Sequence, residues 1–269
     1  LKEMVEKYYL REDQHYELRD YCKDKNIDFC STPFSVAEID MLDKCEVPFY
    51  KVASMDINNV QLLNELSERG KPVVLSTGMS TMGEIESAIK ILTSNKLSLN
   101  DITILHCNTE YPTPMSDVNL KAMLHIQTEL DVKIGYSDHT LGTEVPIAAV
   151  ALGATLIEKH FTLDRNLPGP DHRASLEPNE LKSMVKSIRN IEKALSGSKI
   201  KEPSKSELKN KKIIRKSIIA LKPIAKGEIF NKSNIGTKRP GTGISPMNWE
   251  SVIGQESKYN FEQDDLISL

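Results

Sequence analysis

The chain has 269 residues, of which 27% are charged, and 35 lysines and arginines nearly balance 38 acidic residues, giving a formal net charge of −3. A hydrophobic fraction of 39% is enough to build a core, which excludes a wholly disordered chain. No apolar run reaches the ~20 residues that a membrane helix needs. The near-neutral charge argues against a nucleic-acid or polybasic membrane partner.

Two further features concern the start of the sequence and its cysteines. The first ten residues, LKEMVEKYYL, begin without methionine and have the pattern of a helix interior, with no apolar signal segment. We therefore expect this sequence to start inside a longer one. The cysteines form no CxxC pair, which predicts reduced thiols and a cytoplasmic protein; they are Cys22, Cys30, Cys45 and Cys107.

The first part of the chain alternates between strand-like and helix-like segments. Amphipathic stretches separate six short apolar, β-branched segments, which is typical of a parallel sheet built from βα units. Their continuous hydrophobicity indicates strands that are buried on both faces. These segments are 27–34, 49–55, 73–79, 102–108, 132–138 and 155–161.

The polar residues that end these segments favour a closed barrel over a doubly wound open sheet. A parallel barrel gathers all its strand ends at one mouth, whereas an open sheet gathers only those at its switch point. The absence of GxGxxG and GxxxxGK[ST] motifs also weakens the open-sheet alternative. We predict an α/β fold, a (β/α)₈ TIM barrel over residues 1–197 that contains strands three to eight, with the first two βα units upstream of Leu1.

The sequence changes character after the helix that Gly197 ends. Residues 198–212 are rich in lysine and interrupted by Pro203, which predicts a linker. Residues 213–269 contain short strand-like segments and turns, which predict a small β-rich domain. At this size such a domain is only marginally stable alone, so we expect it to pack on a barrel.

Two histidines end neighbouring predicted strands. Adjacent strands lie ~4.8 Å apart, so His139 and His160 are placed to share a divalent ion such as Mn²⁺, Mg²⁺ or Zn²⁺. The alternative is that each ring only caps its strand through backbone hydrogen bonds. His106 and His172 are second-choice ligands.

Hydroxyls and one lysine follow the same strand ends. Lys51 lies within a strand-like segment, where a charge needs a partner, although most lysines are solvated surface residues. Together with Ser54, Ser76, Thr77 and Ser137 it supplies the charge and donors that a phosphate group needs. Gly78 allows close backbone approach, but a single glycine is weak evidence.

Further candidates come from strand alternation and from the loops. Glu158 and His160 are expected on the inner face of their strand, with Lys159 pointing outward. Glu158 is then placed to orient a ligand. Asp171 lies in a loop rich in proline and glycine, and Tyr111 begins another, where it either contacts a ligand or packs as an ordinary aromatic.

Several of these segments resemble, in the same order, those of the bacterial sialic acid synthase family (N-acetylneuraminate and legionaminate synthases). They are KVAS, LSTGM, LHCNTEYPTP, IGYSDHT, EKHFTLDRNLPGPDHRAS and KRPGTGISP. The resemblance implies a TIM barrel joined by a linker to a small antifreeze-like (SAF) domain. It also implies an N-acetylneuraminate synthase, a transferase that condenses phosphoenolpyruvate with an N-acetylmannosamine-type sugar and water, releasing phosphate.

The resemblance also implies roles for individual residues. His139 and His160 would hold Mn²⁺, or else Mg²⁺ or Co²⁺, which polarises the aldehyde oxygen of the sugar. The residues that match phosphoenolpyruvate contacts are Lys51, Ser54, Ser76 and Ser137, and a neighbouring contact is matched by Thr109 or, alternatively, by Asn108. Tyr111 matches a residue near the substrate carboxylate or the sugar, Asp171 one that binds sugar hydroxyls, and Glu158 an acidic residue beside the metal.

Other positions depart from the family pattern or depend on a partner. Asp56 stands where many members have glutamate, one methylene longer. Arg239 matches an arginine that contacts the N-acetyl group of the sugar in the partner subunit's barrel, which implies a homodimer. The alternatives are a legionaminate or pseudaminate synthase that acts on a 2,4-diacetamido-trideoxy hexose, an inactive sugar-binding remnant, and a metal-dependent aldolase that uses pyruvate.

Overall fold

A computed structural model describes residues 6–269 of the chain. It divides them into two compact units, one ending at Gly197 and the other formed by Ser198–Leu269. The sequence predicts a helix over 1–10. Residues 6–8 are helical and 9–11 are not, and residues 1–5 lie outside the described residues. No helix within 6–269 combines the length and the apolar character needed to cross a membrane.

Five parallel strands form the sheet of the first unit, in the order β1-β2-β3-β4-β5. Their neighbours in space are their neighbours in sequence, and the sheet curls as part of a TIM barrel. The strands are β1 (Tyr50–Val52), β2 (Val73–Ser76), β3 (Ile102–Cys107), β4 (Lys133–Asp138) and β5 (Ile157–Lys159).

Helices connect these strands, and local sequence signals set their ends. The hydroxyl of Ser35 caps α2, a Thr81–Glu84 capping box begins α4, and Gly70 ends α3 with φ of 71°. The helices of this unit are α1 (Glu12–Asp24), α2 (Val36–Lys44), α3 (Val60–Arg69), α4 (Met82–Leu92), α5 (Leu120–Leu130), α6 (Glu144–Ala151) and α7 (Pro178–Leu195).

The two faces of the sheet differ in chemistry. Alternate strand residues pack against the helices in one hydrophobic core, among them Tyr50, Val52, Leu75, Ile104 and Ile134. Truncating a fully buried residue such as Leu75 to alanine would cost about 2–5 kcal/mol. The opposite, inner face carries polar side chains towards the carboxyl ends of the strands, and these include Lys51, Ser76, Cys107, Ser137 and Glu158.

The first predicted strand, 27–34, is not one in the structure. Residues 27–33 form no strand ladder with β1 among the described residues. The thiol of Cys30 lies 3.6 Å from the carbonyl oxygen of Phe49, where a ladder N–H would bind, and Pro33 has no N–H to offer. The segment therefore runs past the first strand without pairing with it.

The second unit is a small β-rich fold. Its antiparallel strands β6 (Ser217–Ala220) and β7 (Ile235–Lys238) are supplemented by isolated bridges, and a short helix α9 (Trp249–Val252) follows. Its core comprises Ile218, Ala220, Ile224, Phe230, Ile235, Val252, Phe261 and Ile267. The segment predicted as a linker, 198–212, contains most of a helix, α8 (Lys205–Ile214), which a Ser204–Glu207 capping box begins.

Candidate active site

The curl of the sheet brings its first and last strands together at the inner face. Lys51 of β1 lies with its Nζ 3.3 Å from Glu158 Oε2 of β5. The lysine side chain is only 11% exposed, so the carboxylate is the partner that a charge in this position requires. Ser137 of β4 donates its hydroxyl proton to Glu158 Oε1 at 2.6 Å. A cation, a carboxylate and a hydroxyl thus share one rim.

His139 lies directly beyond this group, on the turn after β4. Its Nδ1–H donates to the carbonyl oxygen of Asn108 at 2.6 Å, which leaves the lone pair on Nε2. Ser137 Oγ is 3.4 Å from that Nε2, but its proton is engaged by Glu158. Burial lowers the pKa of His139, so the neutral ring is favoured.

Two further aromatic rings close around His139. The rings of His139 and His160 have centroids 5.3 Å apart, and that of Tyr111 lies 4.1 Å from His139 and 5.4 Å from His160. Burial raises the pKa of Tyr111, so its phenol keeps its proton at neutral pH. Asp171 Oδ2 is 3.8 Å from His160 Nδ1. The structure therefore brings together the four residues that the sequence placed here.

A cradle of small groups lies beside this cluster. Ser54 Oγ accepts the N–H of Gly78 at 2.9 Å and lies 3.3 Å from the thiol of Cys107, the strand neighbour of Ser137. A Cβ on Gly78 would stand 2.2 Å from Thr109 Oγ1 and 2.9 Å from Ser54 Oγ. This position favours glycine, because the hydroxyls of Thr109 and Ser54 would have to move to admit any side chain.

Two buried polar atoms at this edge have no hydrogen-bond partner. They are the hydroxyl oxygen of Ser76, which is 3% exposed, and Oδ2 of Asp56. The other carboxylate oxygen of Asp56 accepts from Asn59 Nδ2 at 3.0 Å. A buried polar atom without a partner is costly in a folded protein, so these atoms mark places where a ligand would complete the hydrogen bonding.

Other candidates lie elsewhere. His106 projects to the helix face, where Nε2 lies 3.0 Å from the carbonyl oxygen of Val118, so it cannot join the His139–His160 pair. His172 Nδ1 is 2.7 Å from the hydroxyl of Thr162 instead. The hydroxyl of Thr77 is engaged by the carbonyl of Leu105.

Arg239 lies in the second unit. Its Nε donates to the carbonyl oxygen of Ile214 at 3.1 Å, and the residue is exposed. Its contact with a partner subunit's sugar therefore stays a prediction.

Sequence reasoning did not predict the pairing of Lys159 with Asp138. Lys159 points away from the barrel interior, as predicted, but its side chain is only 3% exposed and forms an ion pair with Asp138. The signal was available in YSDH and EKH, because pairing of the two strands with their histidines level places the residue just before one histidine beside the residue just before the other.

The imidazoles of His139 and His160 supply part of the ligand set that a divalent ion needs. His139 keeps a free Nε2 lone pair, and its Nδ1–H is oriented by a backbone carbonyl, as is usual for metal-binding histidines. Across residues 6–269 there is no group of three or more histidine, cysteine, aspartate or glutamate side chains placed to hold a metal. The protein would therefore supply two imidazoles to a divalent ion, and substrate or water oxygens would have to supply its remaining ligands.

The carboxyl ends of this curled parallel sheet carry a cation, a carboxylate, hydroxyls and imidazoles. This arrangement defines a barrel enzyme. The NeuB family matches residues 1–201, and the SAF domain matches residues 215–269. The chain therefore belongs to the NeuB family and ends in a SAF domain.

Named relatives agree with this assignment. The N,N'-diacetyllegionaminic acid synthase of Campylobacter jejuni is 48% identical over 98% of this chain and 79% of its own length. The pseudaminic acid synthase of Helicobacter pylori is 34% identical over 96% of this chain and 75% of its own length. The crystal structure of the N-acetylneuraminic acid synthetase of Leptospira borgpetersenii, in complex with citrate, matches 77% of this chain and 72% of its own, with 38% identity and a TM-score of 0.72.

Proposed function

We propose that the protein condenses phosphoenolpyruvate with an N-acylated hexosamine and water, giving a nine-carbon 2-keto sugar acid and inorganic phosphate. The observation that carries this proposal is the contact between Lys51 and Glu158 across the curled sheet. It brings a cation suited to an anionic substrate to the same rim as the histidines and tyrosine. The hydroxyl of Ser137 contacts both Glu158 and His139, so it connects the Lys51–Glu158 pair to the histidines.

Phosphoenolpyruvate would bind at the side of β1, β2 and β3. Lys51 supplies the positive charge, and Ser54 lies in the cradle with Gly78 and Thr109. The hydroxyl of Ser76 lacks a partner and would donate to a phosphate or carboxylate oxygen. Because Lys51 and Ser76 stand on strands and Ser54 closely follows one, the anion would be held without rearrangement of the sheet.

The sugar would bind at the side of β4 and β5. His139 and His160 would hold a divalent ion, for which we propose Mn²⁺. When bound, this ion would act as a Lewis acid on the sugar aldehyde oxygen. Asp171, which is half exposed beside His160, would accept hydrogen bonds from sugar hydroxyls.

Three further groups would shape the sugar end of the site. The protonated phenol of Tyr111 would donate to an oxygen of either substrate. Glu158, held by Lys51 and Ser137, would orient the reacting groups, and the free Oδ2 of Asp56 would accept from a sugar hydroxyl.

For the sugar we propose a 2,4-diacetamido-trideoxy hexose, and of the two kinds of synthase that use such a sugar we propose the legionaminate type. The identity of 48% to a diacetyllegionaminic acid synthase supports this choice over the pseudaminate type, at 34%. N-acetylmannosamine is the second candidate, supported by the 38% identity to a sialic acid synthetase structure. We further propose that the protein works in the cytoplasm as a homodimer.

Phosphate release from phosphoenolpyruvate tests the proposal. The full-length protein should release phosphate with the diacetamido sugar faster than with N-acetylmannosamine, and a chelator should abolish the reaction until Mn²⁺ is restored. His160→Gln should lose activity, whereas His125→Gln, on the exposed face of α5, serves as the matched control. Release of no phosphate with any hexosamine, or turnover of pyruvate in its place, would reject the proposed reaction.

A further inference from the structure

A buried ion pair lies on the helix side of the sheet, behind the histidines. Asp138 and Lys159 are neighbours in the register of β4 and β5, and their side chains are 0% and 3% exposed. Lys159 Nζ donates to Asp138 Oδ2 at 2.5 Å. Alternation along each strand then places the residues on either side of this pair, including His139 and His160, towards the site.

The same pair ties down the turn that carries His139. Asp138 Oδ1 accepts from the backbone N–H of Thr140 at 3.0 Å and from its hydroxyl at 2.8 Å. Lys159 Nζ donates to the carbonyl oxygen of Thr140 at 2.5 Å. The residues before and after His139 are therefore both fixed to β5, the strand that leads into His160.

Stability alone does not account for a pair of this kind. Removing two charges from water costs several kcal/mol per ion, and replacing a buried pair with apolar residues is often neutral or stabilising. What the charged pair adds is geometry, since the carboxylate and ammonium together fix Thr140 at three points. A hydrophobic pair would fill the space without fixing the turn.

We propose that Asp138 and Lys159 are positioning residues, which set the separation and orientation of His139 relative to His160. This inference rests on the proposed function, in which the two imidazoles hold a divalent ion. Neither residue touches substrate in this account. Their effect passes through the turn 138–140 and should appear in ion binding and kcat rather than in the KM for phosphoenolpyruvate.

The test is the double variant Asp138→Asn/Lys159→Met, which removes both charges but keeps an amide oxygen to accept from Thr140. The matched control is Asp43→Asn/Lys71→Met, the same exchange in a pair 3.1 Å apart that joins α2 to the residues before β2, away from the carboxyl ends of the strands. Its side chains are 31% and 25% exposed, and Asp43 also accepts from Arg69 at 2.8 Å. Thr140→Val, which removes one hydroxyl contact and leaves the ion pair, is the second variant should the double variant fold poorly.

Three measurements on the full chain separate positioning from stability. In the Asp138/Lys159 variant, Mn²⁺ titration followed by electron paramagnetic resonance should show affinity weakened roughly 10- to 100-fold. kcat should fall while the KM for phosphoenolpyruvate stays within about twofold. NMR signals of the His139 and His160 ring protons should shift in the metal-free variant. The Asp43/Lys71 control should lower thermal stability without any of these changes.

Each outcome decides the proposal. Ring-proton signals that stay in place in both the double variant and Thr140→Val would overturn it, and so would wild-type Mn²⁺ affinity and kcat in the double variant. Equal losses in the Asp43/Lys71 control would also overturn it, because the effect would then follow from stability. The proposed function fails separately, when the wild-type chain neither binds Mn²⁺ nor releases phosphate, and the ring-proton signals still test the positioning.

Discussion

Gly78→Ala tests the cradle at the end of β2 directly. The new Cβ would lie 2.2 Å from Thr109 Oγ1, 2.9 Å from Ser54 Oγ and 3.2 Å from Cys107 Sγ. Thr109 is exposed and its hydroxyl has room to rotate. Ser54 Oγ is held by the Gly78 N–H and by the thiol of Cys107, so the chain must shift at that side.

The size of the effect follows from these contacts. Overpacking of this kind costs about 1–3 kcal/mol. For a unit of this size that lowers the melting temperature by roughly 2–12 °C, at about 2–4 °C per kcal/mol. Displacing hydroxyls from a charged ligand costs about 1.5–3 kcal/mol, so the KM for phosphoenolpyruvate should rise at least ~10-fold.

Thermal unfolding and phosphate-release kinetics measure the two effects, with Gly83→Ala as the matched control. Gly83 lies in the first turn of α4, and a Cβ there meets nothing within 4 Å. That control should be neutral or slightly more stable, because alanine favours helix over glycine. Gly78→Ala with an unchanged melting temperature and unchanged KM, or equal damage from Gly83→Ala, would refute the cradle.

Two further substitutions test a partnerless hydroxyl at the site and a buried histidine outside it. Ser76→Ala removes a buried hydroxyl that has no partner, so the free energy of unfolding should not fall, whereas the KM for phosphoenolpyruvate should rise. Urea unfolding and phosphate-release kinetics measure the two effects. A loss of stability with an unchanged KM would contradict the prediction. Burial lowers the pKa of His106 from its ordinary 6.5, so the unfolded chain binds its proton more readily and stability should be lost as pH falls below ~6.5. His106→Gln, which keeps a donor for Val118, should reduce the stability difference between pH 7.5 and pH 5.5 in urea titrations, and an unchanged difference would show that His106 does not set it.

Much of the first unit could be predicted from local pattern. Strand segments of buried β-branched residues and the helices between them gave the parallel sheet and its chain order, because βα repetition is local in sequence. Alternation also assigned Glu158 to the inner face and Lys159 to the outer face. The segment 27–34 was misread because composition cannot show whether a strand-like segment finds a partner for its ladder.

The identity of this chain as a NeuB-family protein with a SAF domain was already present in its motifs, and so were the residue types of the site. The contact of Lys51 with Glu158 was not, because it depends on how far the sheet curls between its first and last strands. Nor were the tight approach at Gly78 and the buried pairing of Asp138 with Lys159. Periodicity fixes the face to which a side chain points, whereas distances between residues far apart in sequence are set only when strands, turns and core pack together.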